Sequence, residues 1–227
     1  MTVTQRIAAA SETAIVPEFA PPLHPGCDFT AFNSGSPEIE VCEFLYSLVR
    51  LIKPARVLET GTHFGFSAAY MGCALSENER GELTTLEVQP EYGILARSLF
   101  ANLKLEDRVQ CVLQASLDYV YPDEDPIDFL FLDSEPEFRF DEFVRFWSHV
   151  RPGGFIGIHD LHPHLGHSGV VTDGMLDRPY GNFIPKLGPM ILQHEVQTVT
   201  FPTPRGFTLF QKAAPDFGAT NLLCGKL

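Results

Sequence analysis

The sequence predicts an α/β domain built on a doubly wound, mostly parallel sheet that ends in an antiparallel C-terminal hairpin. Three observations predict it. From residue 37 onward, short runs of strand character alternate with longer segments of helical period, and that alternation is the mark of repeated βαβ units. Two of the runs, Ile127-Asp-Phe-Leu-Phe-Leu-Asp133 and Phe155-Ile-Gly-Ile-His159, are apolar almost throughout, as strands covered on both faces are. Near the C-terminus, residues 196–201 and 206–211 flank Pro202-Thr-Pro204, a turn that folds two strands into a hairpin.

The elements follow in order. Ser36-Pro-Glu-Ile-Glu40 opens a helix with Pro37 in its first turn, and Val41, Phe44, Leu45, Leu48 and Leu51 continue it at helical spacing. Arg56-Val-Leu-Glu59 is a short strand running into glycines, and residues 67–75 are an alanine-rich helix. A strand at 83–87, a helix at 91–103 and a strand at 109–113 come next, then the apolar strand at 127–133. Residues 138–150 read as a helix whose aromatics, Phe138, Phe140, Phe143, Phe146 and Trp147, are spaced for core packing. Arg151-Pro-Gly-Gly154 is a turn into the strand at 155–159. Residues 1–36, broken by Pro17, Pro21, Pro22 and Pro25, are expected to form an N-terminal arm that contributes little to the core. The main domain is placed at 37–212, with an irregular insertion or lid at 161–190 and a tail at 213–227.

Composition narrows the function. The chain has 227 residues, 44% hydrophobic and 20% charged, enough for one domain with a substantial core. Its formal charge of -13, with no Lys/Arg run, disfavours nucleic acid and anionic membranes as partners. No run approaches the ~20 apolar residues of a membrane span, and the first residues lack the apolar stretch of a secretory signal. The five cysteines are odd in number and form no CxxC pair, which favours a reducing, cytoplasmic setting. A homo-oligomer is expected, a dimer first, acting on a small molecule.

In a sheet of this kind ligands bind beyond the carboxyl ends of the strands, at the switch point. The first strand ends there in Glu59-Thr-Gly-Thr-His-Phe-Gly-Phe-Ser67. Gly61 and Gly65 let backbone approach a ligand closely, or simply make a tight turn. Ser67 is a loop ligand or a helix cap. The dinucleotide fingerprint G-x-G-x-x-G fails, because His63 stands where its second glycine would. An acidic Glu59 suits a ligand with an ammonium group and suits a pyrophosphate poorly. Glu87, ending the second strand, can accept two ribose hydroxyls.

From Ser36 to Asp160 the sequence resembles the small O-methyltransferases of the class I methyltransferase fold, the catechol and caffeoyl-CoA type with its bacterial relatives. The resemblance rests on five pieces in order. They are Ser36-Pro-Glu-Ile-Glu-Val-Cys-Glu-Phe-Leu45, the glycine loop, Leu86-Glu87, the strand at 127–133, and Val150-Arg-Pro-Gly-Gly-Phe-Ile156. It implies a seven-stranded sheet and S-adenosylmethionine as cofactor. Glu59, Gly61, Thr62, His63, Gly65 and Ser67 would hold the methionine part, Glu87 the ribose, and Ala115 and Ser116 the adenine. Asp133 would face the methyl donor or a metal.

Asp133 and Asp160 end the fourth and fifth strands and are expected to share one crevice. Paired carboxylates there can hold a divalent ion such as Mg²⁺ that activates a substrate hydroxyl, as the metal-dependent relatives do. Two positions depart from that pattern. Leu161 follows Asp160 where those enzymes carry Asn, and Pro136 stands three residues after Asp133 where bacterial relatives carry His. Glu135, His159 and His162 are replacement ligands. The run His159-Asp-Leu-His162-Pro-His164-Leu-Gly-His167 suits a transition metal, supplies a general base with His162 as first candidate, or is a solvated loop. His24, His149 and His194 read as structural. The expected reaction is O-methylation of a small-molecule hydroxyl: a phenol, a catechol-like compound or a natural-product sugar. A non-catalytic S-adenosylmethionine-binding protein, or a metal-dependent oxygenase or hydrolase on the same fold, are the alternatives.

Overall fold

The computed structural model describes residues 1–13, 15–17, 29–122, 124–161, 196–201 and 203–213. In chain order the elements are α1 (Val3–Ser11), β1 (Val16–Pro17), β2 (Thr30–Ala31), α2 (Ile39–Ile52), β3 (Arg56–Thr60), α3 (Phe66–Glu77) and β4 (Glu82–Glu87). They continue as α4 (Pro90–Asn102), β5 (Val109–Leu113), β6 (Ile127–Leu132), α5 (Arg139–Trp147), β7 (Val150–His159), β8 (Val196–Phe201) and β9 (Phe207–Lys212). Seven strands form one sheet in the order β5-β4-β3-β6-β7-β9-β8. The pairs from β5 to β7 are parallel, and β9 is antiparallel to both its neighbours. The predicted hairpin therefore places its second strand against β7 and leaves its first, β8, at the edge.

Successive residues of the central strands face opposite sides of the sheet, and each side has its own core. Val57, Phe129 and Phe131 pack with α1, α2, α3 and α4. Leu58, Leu130 and Leu132 pack with Phe143 and Phe146 of α5. Every residue of α3 from Phe66 to Leu75 is buried, and its small side chains let it lie between the sheet and α2. No described helix is long and apolar enough to cross a membrane. Cys42 and Cys73 are buried free thiols and Cys111 is half-buried.

Three local expectations need correction. First, residues 3–11 form a helix that joins the core. Thr2 and Gln5 make a reciprocal capping box, and Ile7 is fully buried; the prolines that argued against structure all lie after this helix. Phe32 also enters the core, stacked on Phe66 with ring centroids 4.1 Å apart. Second, Pro37 precedes α2 instead of sitting in its first turn. Glu38 stays extended, bridged to Ala31, so the helix starts at Ile39. Third, Arg151-Pro-Gly-Gly154 is absorbed into β7. Ile127 pairs with Val150 but Phe129 pairs with Phe155, so the turn is a bulge within one strand.

Candidate active site

β3 is the strand at which the sheet order reverses, with β4 on one side and β6 on the other. The loop after it is clamped from both. The amides of Gly61 and Thr62 donate to the Leu86 carbonyl at 3.0 and 3.1 Å, and the Asp133 amide donates to the Thr60 carbonyl at 3.0 Å. Gly61 has φ +83°, and a Cβ there would stand 2.4 Å from the Asp133 carbonyl oxygen. Only glycine passes this point. Gly65, also at φ +83°, caps α3 and presents its carbonyl to the Ala69 amide.

Glu59 lies beneath the loop with no solvent exposure and does not line the cavity above. Its carboxyl accepts from the Ser67 and Thr85 hydroxyls, each at 2.5 Å, and Thr85 also meets the Thr62 hydroxyl at 2.6 Å. The expected contact from Glu59 to a ligand ammonium is thus replaced by a structural one, and Ser67 ties the helix to this carboxyl instead of capping it. Burial raises the Glu59 carboxyl from 4.5 to about 8, outweighing the two hydroxyl donors. The sign is that of an acid with a raised folded pKa: its contribution is whole below 4.5 and is lost as pH rises through about 8. Glu59→Gln keeps the shape and cannot ionise. It is expected to melt near the wild type in mild acid and above it at pH ~9, read from thermal melts across pH; equal melting points at both ends would refute this.

Above the loop lies an open cavity of about 770 Å³, within the usual range for a small-molecule site. It runs along the carboxyl ends of the strands. Its lining includes Gln114, Ala115, Ser116 and Asp118 after β5, Glu87 and Tyr92 at and after the end of β4, Gly61 and His63 after β3, Asp133 and Ser134 after β6, and Asp160 after β7, with Arg139 and Arg205. Glu87 is fixed by backbone: His63 N–H donates to Oε2 at 2.6 Å, and the amides of Val88 and Gln89 donate to Oε1 at 2.9 and 2.8 Å. His63 adopts φ +48°, and its ring packs edge-on against Phe64 and Tyr92, both at 4.3 Å. Burial lowers its pKa, so the ring is neutral. Gly35 leaves room for it, since a Cβ there would lie 2.7 Å from the imidazole.

Around Asp133 and Asp160 lies a cluster of charge. Arg139 opens α5 and is nearly fully buried; its Nη1 meets Asp160 at 3.0 Å and its Nη2 meets Asp133 at 3.3 Å. Its Nε donates to the Ser134 carbonyl at 2.8 Å, and Nη1 also donates to the His159 carbonyl. His159 spans two acids, with Nδ1 2.9 Å from Asp133 and Nε2 2.6 Å from Glu38. Glu38 has no exposure and takes a further bond from the Arg205 amide at 3.0 Å. Burial opposes charge on His159, but Asp160, Asp133 and Glu38 outweigh it and lift the imidazole to about 10. Glu38 is held at about 2, because His159 and Arg205 outweigh its burial. Asp160 adopts φ +56°, and its carboxyl stays below the usual range as His159, Arg139 and Arg205 outweigh burial. Behind this cluster Glu142 accepts from the hydroxyls of Thr60, Ser134 and Ser116, and burial raises its pKa.

Asp133, His159 and Asp160 have ligand-type atoms within 4.8 Å of one another. As donors to a divalent ion they do not fit. Both nitrogens of His159 face carboxylate oxygens, which only accept, so the ring carries two protons and has no lone pair to give. The guanidinium of Arg139 already bridges the two aspartates.

Of the residues singled out by sequence, Gly61, His63, Glu87, Ala115, Ser116, Asp133 and Asp160 line the cavity. Thr62 and Ser67 line a small recess next to it, and Gly65 shapes the loop. His162, and with it His164 and His167, lies outside the described residues, as does most of the segment 161–190. Sequence reasoning missed Glu38, Arg139, Arg205 and Tyr92. One signal could have found Arg139: with Glu142 it shares the buried face of α5 with Phe143 and Phe146, so two charges stand where a helix turns to the core. Phe138, assigned to core packing, is 43% exposed and lines the cavity.

Residues 58–161 match a family model described as a methyltransferase domain. The chain is 40% identical over 76 residues to catechol O-methyltransferase B of Danio rerio, covering 34% of this chain and 28% of that protein. It is 34% identical over 96 residues to a catechol O-methyltransferase of Mycobacterium tuberculosis, covering 42% and 43%. The chain thus spans less than half the length of these curated relatives. Among solved structures it is similar to the O-methyltransferase TomG of Streptomyces achromogenes in complex with S-adenosylmethionine, at TM-score 0.61, 26% identity and coverage of 77% and 80%. An O-methyltransferase of Bacillus cereus shares the fold at TM-score 0.63 and 23% identity, over 92% and 88% of the two chains.

Proposed function

We propose that this chain, whose residues 58–161 form a methyltransferase domain of the class I small O-methyltransferase type, transfers a methyl group from S-adenosylmethionine to a hydroxyl of a small molecule. The observation that carries the reading is the cavity itself. One open space is lined by Ala115 and Ser116, by Glu87 and the Gly61 loop, and by Asp133 and Asp160, so an adenosyl group and an acceptor can be held in the same cavity.

In this reading Glu87 accepts a ribose hydroxyl on the lone pair of Oε2 that its three backbone donors leave open. Ala115 and Ser116 flank the adenine, and the loop at Gly61 and His63 borders the methionine part. The acceptor hydroxyl lies at the Asp133–Asp160 end, with Phe138 as an apolar wall. Its oxygen attacks the methyl carbon in line with the departing sulfur. The C–S bond breaks as the O–C bond forms, the hydroxyl proton passes to Asp160, and S-adenosylhomocysteine leaves with a neutral sulfur. An oxygen that gains a methyl while keeping its proton is a strong acid, so a carboxylate held below its usual range still takes that proton. The remaining contribution of the fold is alignment. The net charge of -13 favours an acceptor without phosphate groups.

Calorimetry with S-adenosylmethionine and S-adenosylhomocysteine tests the reading. Both are expected to bind the wild type. Glu87→Ala is expected to weaken binding by about 10-fold or more, the loss of a charge-assisted bond worth roughly 1.5–3 kcal/mol. If neither compound binds the wild type, or if Glu87→Ala binds as well as it, the cavity is not a cofactor site.

A further inference from the structure

We propose that the guanidinium of Arg139, and not a divalent ion, is the cation that holds Asp133 and Asp160 together at the acceptor end of the cavity. The inference rests on the proposed function only in calling that end the acceptor end; the geometry stands without it.

Three observations carry it. The guanidinium is built in. Arg139 is nearly fully buried, Nη1 and Nη2 each reach a different aspartate, and Nε and Nη1 are further bound to the carbonyls of Ser134 and His159. A planar fork that bridges two carboxylates while its other donors are engaged has one orientation, and a lysine could not reproduce it. The place an ion would occupy between the aspartates is therefore filled by a group the fold aims there.

The second observation is the ligand set. An imidazole enters a metal shell through a lone pair, and the two nitrogens of His159 instead point at Glu38 and Asp133. Leu161, a buried apolar side chain, follows Asp160 and offers no donor.

The third is charge. Among the described residues, Arg139 reaches both Asp133 and Asp160, and His159 lies between Asp133 and Glu38, so each of these carboxylates already faces a cation. Pairing of this kind is what a poorly solvated carboxylate needs. Glu135 also borders the cavity but is exposed, and Glu142 is already served by three hydroxyls. A divalent ion would add two positive charges beside a guanidinium and an imidazolium. Arg139 thus acts as a positioning residue: it fixes both carboxylates and leaves Asp160 facing the acceptor.

Electron paramagnetic resonance of Mn²⁺ tests this without a known acceptor. Mn²⁺ is titrated into the protein with and without S-adenosylhomocysteine, up to ~1 mM, the upper end of weak cation sites. The wild type is expected to bind none. Arg139→Gln, which strips the aspartates of their cation, is expected to take up one Mn²⁺ per chain and to gain thermal stability from it, and Arg139→Gln/Asp160→Asn to lose both. If Arg139→Gln does not fold, Arg139→Met, which also removes the cation, is read in the same way. One Mn²⁺ per wild-type chain that Asp160→Asn removes overturns the proposal, and so does a folded Arg139 variant that binds no Mn²⁺. Failure of S-adenosylhomocysteine to bind would sink the proposed function and leave the Mn²⁺ result to be judged by itself.

Discussion

Replacing Gly61 by alanine is expected to destabilise the protein by about 3 kcal/mol or more and to weaken cofactor binding at least tenfold. Two effects add. A left-handed backbone costs a residue with a Cβ roughly 1–2 kcal/mol, and φ at Gly61 is +83°. The new Cβ would also stand 2.4 Å from the Asp133 carbonyl oxygen and 2.7 Å from the Ser134 amide nitrogen. These are backbone atoms at the end of β6 and cannot rotate away, so either the loop or the strand end must move, at a further ~1–3 kcal/mol. Either movement displaces Asp133 relative to the loop. The two effects can be separated. Gly153 has a similar φ of +76°, but a Cβ there meets nothing nearer than Arg151 Nη1 at 3.5 Å, so Gly153→Ala reads the backbone cost alone. Denaturant melts of both variants, with S-adenosylhomocysteine calorimetry on each, decide the matter. Equal stabilities would mean that the loop gives way freely and that its close passage over β6 has no structural weight.

That glycine was readable in advance because its cause is local. A strand that ends in Glu59-Thr-Gly61 and turns into a helix needs a residue without a side chain, and the switch-point rule says where such a turn points. The sheet was readable for a similar reason: strand and helix periods are written in neighbouring residues. The charged cluster was not. His159 and Glu38 are 121 positions apart, and no periodicity links a histidine at one strand end to a glutamate just before α2. Glu38 reads locally as a helix-start acid, and its side chain makes no cap bond. Arg139 was open to a sharper reading, since a charge on the buried face of a helix requires a buried partner. The α1 helix was missed for another reason. Its capping box, Thr2 and Gln5, is a local signal, but it was outweighed by prolines that lie beyond the helix. Glu59 shows the opposite limit. An acid beside the glycines reads as a ligand group, yet which way its carboxyl turns depends on the hydroxyls around it, Ser67 and Thr85, the latter from the neighbouring strand.

The His159–Glu38 pair gives the second large effect. His159→Ala removes the imidazolium from Glu38, which has no solvent exposure and would keep the Arg205 amide among its donors. Breaking a buried pair by removing one partner typically costs 3–5 kcal/mol, because the other is left charged out of water, and a loss of about that size is expected in denaturant melts. Much of this is a penalty and not the worth of the pair, so neutralising both ends should recover part of it. Glu38→Gln/His159→Gln is expected to be more stable than His159→Gln alone. The pH dependence follows from the two groups in opposite senses. The His159 pKa is raised from 6.5 to about 10, so its contribution is whole below 6.5 and is lost as pH rises through about 10. The Glu38 pKa is lowered from 4.5 to about 2, so its contribution is whole above 4.5 and is lost as pH falls through about 2. The pair is therefore at full strength between 4.5 and 6.5. Above that window the wild type should lose stability faster than the double variant, and in strong acid it should do so again. A double variant whose melting curve parallels the wild type across both limbs would show that His159 does not carry its charge between the two acids.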